Sequence, residues 1–187
     1  MSYAFPAKRI AAVRFDRTIG VDKLMREAAA ALKNLGLNLA GVIQTPSLVD
    51  NCDVRSVRLM NLGSGREVEI LQDLGKFAQG CRLNPQTISD VAADLHESLS
   101  KRPDLLIINR FGRAEAEGHG LRQILERAAT DGVPVLIAVR EDYVDDWNRF
   151  HGGMAQFLSP RLDDILTWSR ALQRAESRGN DCTRQQA

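Results

Sequence analysis

The sequence predicts a three-layer α/β sandwich on a mostly parallel sheet, with one β-hairpin inserted into it or lying at its edge. Three observations carry that expectation. Short apolar runs of strand length alternate with longer stretches whose apolar residues recur every three or four positions. The first strand, helix and second strand are joined by a short polar loop and a glycine stop, the pattern of a right-handed βαβ unit. Two strand-like runs flank Gly63-Ser64-Gly65-Arg66, where glycine supplies the positive φ of a tight turn.

Taken in order, Lys8 to Phe15 reads as a buried strand with Ile10-Ala11-Ala12-Val13 at its centre, and Asp16 to Gly20 as a loop. Val21 to Leu35 reads as a helix with Leu24, Ala28, Ala31, Leu32 and Leu35 on its inner face, stopped by Gly36. Leu37 to Ile43 is the second strand. Val54 to Leu62 and Glu67 to Leu71 form the hairpin, and Gln72 to Leu83 an irregular loop. Asn84-Pro85 starts a helix, because Asn caps free N–H groups and Pro fits the first turn. Its stripe is Ile88, Val91, Ala92, Leu95 and Leu99. Leu105 to Ile108 is the most apolar run and reads as a central strand. A loop over Arg110 to Gly120 leads to a helix ending near Ala129. Val133 to Val139 is a further buried strand, Asp142 to Phe150 a short helix, and Leu162 to Ala175 the last one. The reading is one domain over 1–178 and a polar, disordered tail over 179–187.

A chain of 187 residues with 44% hydrophobic and 26% charged residues has the make-up of an ordinary globular domain. A net charge of +1 gives no overall field to attract nucleic acid or a membrane. No apolar run approaches the roughly 20 residues of a membrane span, and the N-terminus does not read as a signal peptide. Three scattered cysteines, Cys52, Cys81 and Cys182, form no CxxC pair and read as thiols of a reducing, cytoplasmic setting.

In open parallel sheets ligands gather at the carboxyl ends of strands. The loops leaving those ends carry Arg17, Arg110, Arg113 and Arg140. Either these converge on one anion-binding mouth beside the N–H groups at the start of the Val21 helix, or they pair with Asp16, Glu115, Glu117, Glu141 and Asp142. Asn109-Arg110-Phe111-Gly112-Arg113-Ala114-Glu115-Ala116-Glu117-Gly118-His119-Gly120 is the richest segment, and Glu115 and Glu117 have the chemistry to hold a ligand, a magnesium ion or the loop itself. His96, off the stripe of its helix, is expected to face solvent. His119 and His151 complete no metal motif, and no GxSxG elbow is present. Cys81, in Gln79-Gly80-Cys81-Arg82, reads as an incidental thiol. Trp147, Phe150 and Trp168 read as core, with an exposed contact face as the alternative.

The first strand-loop-helix unit, the hairpin, and Leu105-Leu106-Ile107-Ile108-Asn109-Arg110-Phe111-Gly112-Arg113 resemble P-loop NTPases, especially small nucleoside-triphosphatases related to adenylate kinases. Leu62-Gly63-Ser64-Gly65-Arg66, Gly80-Cys81-Arg82-Leu83, Asn109-Arg110-Phe111-Gly112 and Glu115-Ala116-Glu117-Gly118 resemble an uncharacterised bacterial family of degenerate P-loop NTPase-like proteins, domain of unknown function 2478. That resemblance implies a P-loop NTPase-like fold and, through genes associated with molybdate transport, an oxyanion-related role.

The departures from that pattern decide the expected chemistry. A working phosphate loop reads GxxxxGK[ST]. Aligned on Gly20, Phe15 stands at the first glycine, Val21 at the lysine and Asp22 at the hydroxyl residue, where Asp22 either repels phosphate or caps the helix. Lys23 comes two positions late. Asn109 stands where a metal-holding Asp is expected and Arg110 where a Glu positions water. Phosphoryl transfer rests on positioning and on charge neutralisation by Lys and magnesium, so binding is expected rather than turnover. The expected ligand is a small anion, a nucleotide or an oxyanion, held with no resident metal by Arg17, Thr18, Gly20, Lys23, Asn109, Arg110, Gly112, Arg113, Glu115 and Glu117. A homodimer is the assembly compatible with this reading. A nucleoside triphosphatase with a rearranged site and a scaffold without a ligand are the other two readings.

Overall fold

The computed structural model describes residues 7–16, 18–46, 57–71 and 84–184, with side chains to 175. Strands β1 (Ile10–Phe15), β2 (Leu39–Thr45), β3 (Arg58–Asn61), β4 (Glu67–Glu69), β5 (Leu105–Phe111), β6 (Val135–Arg140) and β7 (Ala155–Leu158) form one sheet in the order β4-β3-β2-β5-β6-β1-β7. Only the β2–β3 and β3–β4 pairings are antiparallel, so the hairpin forms an edge of the sheet. β2, β5, β6, β1 and β7 run parallel.

Helices cover both faces. Helices α1 (Val21–Asn34) and α6 (Leu162–Arg184) lie on one side, where Met25, Leu32, Ile165 and Trp168 meet Val13, Ile107 and Leu136. Helices α2 (Pro85–Ser100), α4 (Arg122–Thr130) and α5 (Val144–His151) lie on the other, where Leu95, Ile124 and Trp147 meet Ile108 and Ile137. This is the expected three-layer sandwich, and each strand buried on both faces is apolar at nearly every position.

Local details follow from named residues. Asn84 caps α2 by accepting from Gln86 N at 3.0 Å and Thr87 N at 3.3 Å, with Pro85 at the first position as expected. Gly41 lies inside β2 at φ +123°, and a Cβ there would run into the Ile107 backbone on β5. Only glycine lets these two central strands approach.

Several expectations need correction. The inner face of α1 is Val21, Met25, Ala28, Ala29 and Leu32, and Leu35 is exposed. Ala155–Leu158, which the sequence reading passes over, is a full strand against β1. The stretch after the central strand is not all loop, because β5 extends to Phe111 and a single helical turn, α3 (Arg113–Ala116), follows it. α6 runs to Arg184, past the Ala175 at which periodicity ends it. Trp147 and Trp168 are buried. Trp147 packs edge-on against Phe111 at 5.2 Å, Phe150 tilts against it at 5.6 Å, and Trp168 Nε1 donates to the Lys8 carbonyl at 2.8 Å. These rings are core rather than a contact face. Arg17, Cys52, Cys81 and the Gln79–Arg82 segment lie outside the described residues, as do the side chain of Cys182 and most of the predicted irregular loop.

Candidate functional site

The carboxyl end of β1 leads through five residues, Asp16 to Gly20, into α1. Asp16 organises this loop. Its Oδ1 accepts from Thr18 N at 2.8 Å and from Thr18 Oγ1 at 2.5 Å, and these bonds, the hydroxyl first, hold its carboxyl below the ordinary carboxylate value. Gly20 caps α1 at φ −73° with open space where a Cβ would stand, so the backbone there does not demand glycine.

Asp22 lies inside the first turn of α1 and is not its N-cap. Its carboxylate faces the carboxyl end of β5. Oδ1 accepts from Asn109 Nδ2 at 2.8 Å and from Arg110 Nε at 3.2 Å. Oδ2 accepts from Arg110 Nη2 at 2.6 Å. The guanidinium grips the carboxylate at two points, the geometry that favours Arg over Lys. Asn109 is 3% exposed, and its Oδ1 accepts from Gln44 N at 3.0 Å. That N–H can only donate, so it fixes the amide with Nδ2 toward Asp22. Arg26 Nη1 ties the same residue, donating to the Gln44 carbonyl at 2.9 Å. Arg110 also lies over the Phe15 ring at 5.5 Å.

The other candidates are locally engaged. Arg113 Nε meets Glu117 at 2.7 Å. Arg140 meets Asp142 at 2.9 Å and lies over Tyr143. Lys23 approaches Glu27 at 3.7 Å along α1. Arg14, not among the expected residues, pairs with Glu141 at 3.0 Å. The described arginines therefore do not meet at one point, and only Arg110 faces the start of α1. Glu115 is buried, with Oε2 accepting from Gly112 N and Oε1 from Leu121 N, both at 3.0 Å. It holds the loop, and Gly120 at φ +61° leaves room for its carboxylate. His96 is partly buried, its Nδ1 3.2 Å from Arg127 Nη1, instead of facing solvent. His119 is exposed. His151 is buried, its Nδ1 accepting from Gly153 N at 3.0 Å and Ala155 N at 3.3 Å. Burial, with a smaller contribution from the Lys8 charge, holds its pKa below the ordinary value.

A cleft of about 450 Å³ opens beside the first loop, between Phe15, Asp16, Ile19, Glu141, Phe157 and Ser159. Asp22 as a partner of Asn109 and Arg110 is the feature that the sequence reading misses. Its signal is the charge pattern itself, an acid in the first turn of the first helix and a cation near the end of the central strand.

A family model described as a protein of unknown function, DUF2478, matches residues 10–168. The chain belongs to the DUF2478 family. The Molybdenum import ATP-binding protein ModC 2 of Bradyrhizobium diazoefficiens is 32% identical over 164 residues, covering 87% of this DUF2478 chain. The chain spans 18% of that relative's length. Among solved structures, THEP1 from the hyperthermophile Aquifex aeolicus superposes with a TM-score of 0.60 at 15% identity, over 84% of this chain and 97% of that one. The architecture is P-loop NTPase-like, and the relationship to those proteins is distant. No helix among the described residues is long and apolar enough to cross a membrane.

Proposed function

We propose that this DUF2478 protein binds a nucleotide or a small anion without hydrolysing it, on a degenerate P-loop scaffold. The observation that carries the reading is the Asp22–Asn109–Arg110 constellation. A hydrolysing site of this layout places a Lys and a hydroxyl at the start of α1 and carboxylates at the end of β5, with magnesium between them. Here Val21 and Asp22 stand on the helix side and Asn109 and Arg110 on the strand side. The charges are exchanged, and an acid on the helix side is paired with a guanidinium on the strand side. In this reading the anion docks on the free side of Arg110 beside Thr18 and Gly20, the cleft next to the loop takes the rest of the ligand, and Glu115 and Gly112 keep the β5 loop in shape.

The relative named for molybdenum import supports a place in molybdate or oxyanion metabolism. Calorimetry of the purified chain with ATP, GTP, phosphate, sulfate and molybdate tests the reading. Heat with at least one of them is expected, weakened by Arg110→Ala, together with no magnesium-stimulated phosphate release. Silence across all five, or magnesium-dependent turnover, overturns it.

A further inference from the structure

Among the described residues, the Asp22–Arg110 pair leaves bonding capacity unused on both sides. A guanidinium carries five N–H donors, and the pair uses Nε and one N–H of Nη2. A carboxylate has about four lone-pair sites, and Asp22 accepts three bonds. Both side chains reach solvent, at 43% and 25% exposure. A ligand that docks on Arg110 therefore meets donors with an acceptor-only carboxylate beside them.

Asp22 is held in that position. The Gln44 N–H fixes the Asn109 amide, so Nδ2 stays on Asp22, and Arg110 grips both carboxylate oxygens. An oxyanion with no proton brings a second acceptor-only charge against the first, and like charges that touch repel strongly. An oxyanion that keeps a proton turns the same contact into a short, charge-assisted O–H···O hydrogen bond.

Resting on the reading that an anion docks on Arg110, we infer that Asp22 makes the site selective for a protonated oxyanion, hydrogen phosphate, over sulfate or molybdate. At neutral pH phosphate keeps a proton, while sulfate and molybdate keep none. A role in molybdate metabolism would then run through a phosphate-type ligand and not through molybdate itself.

The test is calorimetry of the full chain with inorganic phosphate, sulfate and molybdate at neutral pH and matched ionic strength, on wild type and Asp22→Asn. Wild type is expected to hold phosphate at least about tenfold tighter than the other two, and Asp22→Asn to erase the preference by gaining at least about tenfold for sulfate. The wild-type ratio needs no variant, so a poorly folding Asp22→Asn leaves the inference testable. Equal affinities in wild type, or a preference that survives Asp22→Asn, overturn the selectivity and leave anion binding standing. Silence for all three anions in both proteins removes anion binding at this mouth and the selectivity with it.

Discussion

The Glu115 carboxylate fills the space that a side chain at Gly120 would need. Gly120 adopts φ +61°, and a Cβ built there would strike Glu115 Oε1. That oxygen accepts from the buried N–H of Leu121, and its twin accepts from Gly112 N. Glu115→Ala leaves both donors unmet and is expected to cost about 2–6 kcal/mol at 1–3 kcal/mol per unsatisfied group. Gly120→Ala is expected to cost about 2 kcal/mol or more, from the left-handed backbone and the displaced carboxylate together. Urea denaturation of both variants measures this, and midpoints within error of wild type would show that the loop does not depend on the contact.

Gly41 is the backbone counterpart at the centre of the sheet. Its φ of +123° and its approach to Ile107 leave no place for a methyl group. Gly41→Ala is expected to destabilise by about 3 kcal/mol or more, because neither β2 nor β5 can shift without breaking other ladders. The fraction of soluble chain and the thermal midpoint report it.

Asn109→Asp would place an acid near the carboxyl end of β5. It would also replace the donor 2.8 Å from Asp22 Oδ1 with a second carboxylate. A loss of about 2–3 kcal/mol is expected from the missing hydrogen bond and the like-charge contact. Asp22→Thr in the same chain should recover most of it, so the double-mutant cycle should show coupling well above the few tenths of a kcal/mol seen at independent sites. Additive losses would mean that the two positions do not sense each other.

His151 makes stability depend on pH. Burial lowers its pKa in the folded chain below the ordinary 6.5, while the unfolded chain titrates near that value. The unfolded chain therefore binds the extra proton first. The stabilisation is complete above the unfolded value and is lost as pH falls toward the folded one, at up to about 1.4 kcal/mol per pH unit. His151→Asn keeps an acceptor for Gly153 N and removes the titration. Denaturation midpoints between pH 7.5 and 5 should fall less steeply for the variant than for wild type, and parallel curves would exclude His151 as the cause.

Much of the scaffold was legible because burial on both faces leaves an unmistakable record. Leu105 to Ile108 admits no polar residue, and Asn84-Pro85 can hardly be anything but a helix start. β7 is not legible in the sequence because an edge strand of four residues, with Phe157 exposed, shows neither alternation nor an apolar run. The face of α1 is legible in part: Ala28 and Leu32 lie on it and Leu24 packs at its border, but Leu35 does not, and only the packing of Met25 and Ala29 against the sheet fixes its centre. Within the candidate site the charged residues could be read by position, but their pairing could not. Asp22 and Arg110 are 88 positions apart, and a carboxylate that looks hostile to phosphate in one dimension becomes a guanidinium's partner in three.

The place of β1 in the sheet has a consequence for how the chain comes into being. Its neighbours are β6 and β7, so Ile10 waits for Val135 on one side and Ala155 on the other. On a ribosome, the apolar β1 stays unpaired at both edges until β6 and β7, far along the chain, have been synthesised. Closing such distant contacts slows folding and leaves a sticky edge open to other chains in the meantime. A nascent chain halted before residue 135 should therefore aggregate or recruit chaperones, whereas one extended past Trp168 can close the sheet and tie the Lys8 carbonyl beneath the last helix.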